Sequence, residues 1–392
     1  MAKSHLILAA LAKDAVPQLD FVQAYSLDGD SAGNFDSALL TGTDGNHYVV
    51  RQATSAAAEL LADTELTALR AISPYRSHFP FAVTNLVGTG RDARGKRVLV
   101  YSYVYGEPTD LSRAGSNSPL VGSIANTLAA IHSLPTSVIE NAGLPTFSVE
   151  DIVKQSVASM DRMAQTGRVS AVLLNRWERA FEDVSLWRFQ PSVVHGAIDN
   201  NLLSDKTAVT GILGWDHLAI SDPAIDFAWI QGSAADDFSY SLILEYDRLR
   251  GADANLRSRA QLYAELDHGH YLLHAIAARD ADQIEHAVTL LSQLAADAEA
   301  GNLPPIGPRP LGVDSVESDD YQTDVVESDL GSAATMVDAG QAIVSDNLFF
   351  SPVTDSSYNH NRLFGTGDDA TGPIELVDDA TAPIQLPKSD LF

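Results

Sequence analysis

Residues 192–229 read SVVHGAIDNNLLSDKTAVTGILGWDHLAISDPAIDFAW and carry the most informative pattern in the chain. Two valines, which favour strands, lead into His195, and a polar turn of Asp and Asn follows. Two apolar runs separated by a Ser-Asp-Lys turn predict a pair of short strands, the second of which ends at Trp215. The chain then reaches Pro223, which suits the first turn of a helix. The segment therefore predicts two hairpin-like pieces that present Asp, Asn and His side chains beside a helix start.

Phosphoryl transfer uses side chains of this kind, because a carboxylate orients a hydroxyl group while an asparagine and a second carboxylate hold metal. The segment resembles the catalytic region of the aminoglycoside phosphotransferase family, a relative of the protein kinases. That family's pattern is His-Gly-Asp, a spacer, Asn, an apolar strand ending in Ile-Asp-Trp, and then Gly-Asp-Pro-Ala-x-Asp-Leu-Ala. The matching residues are His195, Gly196, Asn201, Trp215, Asp222, Pro223, Ala224, Asp226, Phe227 and Ala228. The resemblance covers roughly residues 20–300. It implies an α+β, kinase-like fold with a small β-rich N-lobe and a larger, mainly helical C-lobe.

The segment departs from the family pattern at three places. Ala197 stands at the position of the catalytic Asp, and Gly214 stands at the position of the metal-binding Asp before Trp215. The spacer that precedes Asn201 is one residue short. The resemblance therefore predicts the fold, whereas the chemistry is altered at two central positions.

Relatives use the second acid of the Asp-Pro-Ala-x-Asp motif to brace the catalytic loop. Asp226 occupies this position here. We expect its side chain to be buried and hydrogen-bonded to the backbone around His195 and Gly196.

Composition limits the remaining choices. The 392 residues are enough for two packed lobes and an appendage. The formal charge is −27, from 25 basic and 52 acidic residues, which argues against nucleic acid or an anionic membrane as a partner. The chain has no Cys, which excludes disulfides, Cys-ligated zinc and a thiol nucleophile. No apolar run has the length of a membrane span, and the short run 6–12 favours an amphipathic helix over a signal peptide. A cytoplasmic location is expected.

The N-lobe is predicted to span residues 1–104 and to begin with a candidate phosphate loop. Residues 28–35 read DGDSAGNF and contain Gly29 and Gly33 among small polar residues. Such a loop lets backbone amides approach a phosphate. An ordinary β-hairpin loop has the same composition, so both readings stand.

A second N-lobe feature is a pair of opposite charges on a strand and a helix. Arg51 stands on a predicted strand, where the resemblance places a phosphate-binding Lys. The apolar periodicity of residues 56–72 predicts a helix with Glu65 on its buried face, where an acid needs a partner. The resemblance places at Glu65 the acid that pairs with that Lys, so it implies an Arg51–Glu65 ion pair. The alternatives are a surface Arg on a strand, and Glu59 or Glu65 on a solvated face.

Residues 81–88 and 97–104 predict two more strands. The second strand resembles the hinge between the lobes, where an adenine would meet the backbone of Ser102 and Val104. The C-lobe is then predicted to span residues 105–305.

Residues 306–392 differ in character from the lobes. Residues 312–392 hold 16 acidic and 2 basic residues and only scattered apolar ones, so this acidic tail is predicted to be disordered. The sequence TGPIEL at 371–376 recurs as TAPIQL at 381–386. Such pieces suit strand addition to a protein partner, and they equally suit drifted low-complexity sequence.

Two functions follow from the resemblance. In the first, the chain is a degenerate member with impaired or lost phosphoryl transfer, which binds a nucleotide or acts as a scaffold or regulator. In the second, it is an active phosphotransferase of a small hydroxylated molecule that uses ATP or GTP with Mg²⁺. Asp199 and His195 would then be the catalytic residues, with Asp199 in place of the missing base, and Asp216 would join Asn201 as a metal ligand. The first function is favoured, because Asp199 lies two residues beyond the position of the family's catalytic Asp. A displacement of about 1 Å in a reacting group can already cost roughly 100-fold in rate.

Overall fold

The computed structural model describes residues 3–27, 34–251 and 253–307. The strands are β1 Phe21–Leu27, β2 Phe35–Gly42, β3 His47–Ala53, β4 Ala82–Val83, β5 Leu86–Arg91, β6 Arg97–Ser102, β7 Glu107–Pro108, β8 Ser192–Val194, β9 Leu202–Ser204, β10 Val209–Ile212 and β11 Ala219–Ser221. The helices are α1 His5–Ala15, α2 Ala56–Ile72, α3 Leu120–His132, α4 Ser137–Ala142, α5 Val149–Gln165, α6 Ala171–Glu182, α7 Ile230–Ser233, α8 Asp236–Arg250, α9 Leu256–Ala278 and α10 Ala281–Glu299. Short 3₁₀ helices occupy Ser73–His78, Asp199–Asn201, Trp215–His217 and Pro223–Phe227. The chain thus has the expected α+β, kinase-like fold, with a β-rich first part and a mainly helical second part.

The first part is an antiparallel sheet of five strands in the order β1-β2-β3-β6-β5. Side chains alternate across it, because successive residues of a strand point to opposite faces. Val50, Val98 and Val100 lie on the face that packs under α1. Leu99 and Tyr101 lie on the other face, which belongs to the core shared with α2 and the helical part.

Local sequence explains where several helices begin. Ser55 precedes α2, and its side chain accepts a hydrogen bond from the Ala58 N–H at 3.1 Å. Ser148 and Asp151 form a reciprocal capping box at the start of α5. These contacts satisfy N–H groups that the first turn of a helix leaves without a partner.

The prediction of one continuous strand over residues 81–88 is wrong. The structure divides this stretch into β4 and β5, and β4 leaves the N-lobe sheet to pair in parallel with β10. Thr84 and Asn85 separate the two strands, and the Asn85 N–H donates to the Ser102 Oγ at 2.9 Å. The second sheet has the order β4-β10-β9-β7, so it joins chain from both sides of the hinge.

Buried ionic networks tie the helical part together. Arg259 on α9 has no exposed side-chain surface, and it donates to Asp222 at 2.6 Å and to Asp253 at 2.7 Å. Glu265, one turn and a half further along α9, accepts a paired hydrogen bond from Arg176 of α6 at 2.9 and 2.8 Å. Paired carboxylates and guanidinium groups of this kind offset the cost of burying charge. The Arg259 contact fixes α9 against the segment that follows β11, and the Arg176 contact fixes α9 against α6.

Candidate functional site

The side chain of Asp226 holds the loop that follows β8. One carboxylate oxygen of Asp226 accepts the His195 N–H and the other accepts the Gly196 N–H, both at 2.8 Å. His132 of α3 donates a third hydrogen bond from Nε2 at 3.0 Å. Burial alone would raise the pKa of Asp226, but these hydrogen bonds outweigh it and lower the pKa. The predicted brace is therefore confirmed, and it rests on an ionised carboxylate.

Gly196 allows the loop after β8 to lie close to the loop after β10. Its φ of +81° lies in the left-handed region that favours glycine. A Cβ atom on Gly196 would lie 2.8 Å from the backbone oxygen of His217. The close contact brings the loop that holds Ala197 against the loop that follows β10.

His195 is engaged by the protein through both ring nitrogens. Nε2 donates to the Leu213 carbonyl at 2.9 Å, and Nδ1 accepts the Ala197 N–H at 3.3 Å. The ring packs edge-on against Trp215 at a centroid distance of 4.9 Å. Burial lowers the pKa of His195, which favours the neutral imidazole that these two contacts require. The catalytic assignment of His195 stays a prediction, and the contacts themselves brace the loop.

The two altered motif positions lie beside Asn201. The Asn201 Nδ2 donates to the Ala197 carbonyl at 2.7 Å. Gly214 adopts φ +61°, and a Cβ atom there would lie 2.3 Å from the Asn201 Oδ1. The amide of Asn201 therefore occupies the space next to Gly214, and Ala197 is only 7% exposed. No carboxylate stands at either motif position.

Asp199 faces a different part of the protein. It lies in the 3₁₀ turn Asp199–Asn201 and accepts a hydrogen bond from Asn200 at 3.0 Å. Burial, and then the charge of Asp199, raise the pKa of Asp267 on α9 well above its usual value. Asp267 also lies 3.7 Å from the Nδ1 of His270. The structure thus brings Asp199 close to an acid of α9, and its catalytic role stays a prediction.

Asp216 faces the N-lobe. Its charge is one of the causes that raise the pKa of Glu65, after burial as the largest cause. The nearest basic group to its carboxylate is the His217 ring, with Nε2 at 3.6 Å from Oδ2. Asp199 and Asp216 are therefore coupled to different acids, one on α9 and the other on α2.

The Arg51–Glu65 ion pair is present. Arg51 Nη1 lies 3.3 Å from the Glu65 Oε2, and Tyr101 donates to the same oxygen at 3.3 Å. The guanidinium of Arg51 lies over the Phe35 ring, 4.0 Å from its centroid. The sequence did not predict the contacts of Tyr101 with Glu65 and of Phe35 with Arg51. These contacts follow from the strand register, which can be predicted only when the position of the turn is known. Nucleotide binding by this pair stays a prediction.

Of the two predicted hinge residues, Ser102 is the last residue of strand β6 and Val104 lies two residues beyond it. The Ser102 N–H donates to the Asn85 carbonyl at 2.8 Å. Within the described parts of the chain, the backbone of Val104 takes no backbone hydrogen bond. Recognition of an adenine by Ser102 and Val104 stays a prediction. Gly29 and Gly33, and the acidic tail from residue 308 onward, lie outside the described residues.

The residues present do not fit the metal pair that the family pattern implies. Magnesium in nucleotide sites takes one or two carboxylates together with phosphate oxygens. The motif positions here offer only the amide oxygen of Asn201, because Gly214 supplies no ligand. Among the residues that the structure describes, no cluster of three or more His, Cys, Asp and Glu side chains could hold a metal ion.

The sequence profile of the APH phosphotransferase enzyme family matches residues 30–263. Because this match covers more than half of the chain, the protein belongs to that family. A curated relative is the uncharacterized protein YcbJ of Bacillus subtilis (strain 168), 24% identical over 182 residues. The alignment covers 46% of this chain and 58% of YcbJ.

Solved structures share the fold. Macrolide 2'-phosphotransferase type I superposes with a TM-score of 0.62 at 22% identity, covering 74% of this chain and 98% of its own. The GDP complex of aminoglycoside 2'-phosphotransferase-IIIa superposes with a TM-score of 0.62 at 18% identity, covering 75% and 99%. Identities this low establish a common fold and carry nothing about substrate. Over the described residues, no helix is both long and apolar enough to cross a membrane.

Proposed function

We propose that this protein is a degenerate member of the phosphotransferase family that keeps a nucleotide site and has lost most or all phosphoryl transfer. It would act as a nucleotide-binding scaffold or regulator. One observation carries the proposal: Ala197 and Gly214 occupy the two carboxylate positions inside a loop framework that keeps His195, Gly196, Asn201 and Trp215. Asp226 braces that framework, and Asn201 bonds to it at 2.7 Å.

The size of the missing contributions supports impaired chemistry. A positioned general base contributes roughly 100-fold to 10,000-fold in rate. A metal-binding carboxylate supports the electrostatic stabilisation on which phosphoryl transfer mainly depends. Asp199 is displaced along the chain and coupled to Asp267, so it does not restore the base in the geometry that the family pattern uses.

The retained charge supports nucleotide binding. Arg51 is fixed by Glu65 and Phe35, and its permanent positive charge suits phosphate oxygens. The solved relative that was described as a GDP complex makes a purine nucleoside di- or triphosphate the ligand to test first. Because the metal ligands are reduced, binding should depend little on magnesium.

A second candidate is an active phosphotransferase of a small hydroxylated acceptor. The observation in its favour is that Asp216 lies close enough to Glu65 for its charge to raise the pKa of Glu65, so one carboxylate does reach the area between the lobes. Asp216 and Asn201 would then share a magnesium ion, and Asp199 would orient the acceptor hydroxyl.

Calorimetric titration separates the two candidates. ATP, GTP and GDP are titrated into the full chain with magnesium and with EDTA. Arg51→Gln is the variant that removes the positive charge proposed to bind the phosphates. The degenerate function predicts binding that changes less than threefold with EDTA and weakens in Arg51→Gln. Binding that requires magnesium, followed by turnover with an added acceptor, would show that the active function is correct.

A further inference from the structure

Three side chains form a diagonal row on the inner face of the N-lobe sheet. Phe35 on β2 pairs with Ala53, which lies two residues beyond Arg51 on β3. Arg51 in turn pairs with Leu99 on β6, and Tyr101 lies two residues beyond Leu99. Because residues two apart in a strand share a face, the register places two aromatic rings on either side of one cation.

The contacts match this register. The Arg51 guanidinium lies over the Phe35 ring at 4.0 Å, and the Glu65 carboxylate takes its Nη1 at 3.3 Å. The Tyr101 hydroxyl bonds to the same carboxylate oxygen at 3.3 Å. Glu65 is 6% exposed and Phe35 is 7% exposed, so both partners of Arg51 are buried. The guanidinium of Arg51 is therefore held by a ring over which its central carbon lies and by a carboxylate at Nη1.

This arrangement suits arginine better than lysine. A planar guanidinium stacks on an aromatic face, and its N–H groups lie in the plane in a fork that matches phosphate oxygens. Stacking uses the face and consumes no N–H donor, so it is compatible with phosphate binding. A lysine ammonium has no plane that a ring could orient.

We propose that Phe35 is a positioning residue for nucleotide binding, since its ring fixes the plane in which Arg51 meets the phosphates of a nucleoside di- or triphosphate. This inference rests on the proposed nucleotide-binding function. It adds a residue that acts only through Arg51, so the effects of changing Phe35 and Arg51 must be non-additive.

The test measures ADP and GDP affinity by calorimetry, and thermal unfolding, for Phe35→Leu, Phe35→Tyr, Arg51→Gln and the double variant Phe35→Leu with Arg51→Gln. Phe21→Leu is the matched control, because Phe21 is also an aromatic residue of this sheet and packs edge-on against Tyr48, a residue of the cluster under α1. Phe35→Leu should weaken binding about threefold to tenfold, the range expected for a partly buried cation–π contact. Phe35→Tyr should restore affinity to within about twofold, because tyrosine also presents a π face.

In the Arg51→Gln background, Phe35→Leu should cause no further loss of affinity, and Phe21→Leu should leave affinity unchanged in the wild-type background. Independent losses from Phe35→Leu and Arg51→Gln would overturn the inference, as would Phe35→Tyr binding as weakly as Phe35→Leu. If the unmodified protein binds neither ADP nor GDP, the nucleotide-binding part of the proposed function fails and this inference falls with it. Binding by the unmodified protein with additive losses refutes the positioning role alone.

Discussion

Removing the Asp226 carboxylate is the sharpest perturbation that the structure offers. Asp226 has no exposed surface and accepts three hydrogen bonds, two from backbone N–H groups at 2.8 Å and one from His132 at 3.0 Å. In Asp226→Ala all three donors lose their partner inside the core. Breaking a buried, charge-assisted set from one side costs about 3–5 kcal/mol, and each buried donor left alone costs roughly 1–3 kcal/mol.

Urea unfolding at pH 7 measures this cost. Asp226→Ala should lower the free energy of unfolding by about 3–5 kcal/mol with an unchanged m-value, as expected for a loss of native contacts. Asp161→Ala on α5 is the control, because Asp161 is an exposed acid and its removal should stay within about 0.5 kcal/mol. A cost below 1 kcal/mol for Asp226→Ala would refute the bracing role.

The lowered pKa of Asp226 predicts a pH dependence of stability. The folded-state pKa of Asp226 lies below its usual value, so its stabilisation is fully present above the unfolded pKa of about 3.9 and is lost as the pH falls through the folded value. The stability difference between wild type and Asp226→Asn should therefore be constant near pH 7 and shrink below pH ~4. A difference that grows on acidification would contradict the lowered pKa.

Three further outcomes are expected. Gly214→Asp should cost about 1–3 kcal/mol of stability, since the Cβ meets Asn201, and it should still raise magnesium-dependent ATP affinity in calorimetry; Gly214→Ala should show the cost without the gain. Arg259→Met should lower the free energy of unfolding in urea by about 3–5 kcal/mol, because it leaves the buried carboxylate of Asp222 without its partner, whereas loss of exposed Arg248 should leave the free energy of unfolding nearly unchanged. Truncation after residue 307 should leave the melting temperature within about 2 °C by calorimetry, and a fall of many degrees would show that the acidic tail packs on the lobes.

The sequence predicted the elements whose signals are local. Helix α2 begins and ends where the apolar periodicity of residues 56–72 indicates. The brace by Asp226 followed from the resemblance, because relatives use the acid at this motif position to brace the catalytic loop. The Arg51–Glu65 pair followed from the resemblance, which places a paired cation and acid at these two positions, and from the position of Glu65 on an apolar helical face.

The features that the sequence did not predict depend on contacts between distant segments. The two-residue strand β4 is defined only by its partner β10, more than a hundred residues away, so periodicity could not separate it from β5. The stacking of Phe35 on Arg51 depends on the register of one hairpin, which a one-residue slip would reverse. The orientation of Asp199 toward Asp267 of α9 depends on how two parts of the C-lobe pack. Motif spacing therefore placed the acids on loops and could not say which groups they face.

The central claim is that the framework persists while transfer chemistry is impaired. The most direct test is release of the terminal phosphate from ATP and GTP, with magnesium, by the unmodified protein and by Asp199→Asn. We predict that both proteins give the rate of the protein-free control, because neither motif carboxylate is present. Phosphate release well above that control, abolished in Asp199→Asn, would contradict the account and identify Asp199 as the base of an active phosphotransferase.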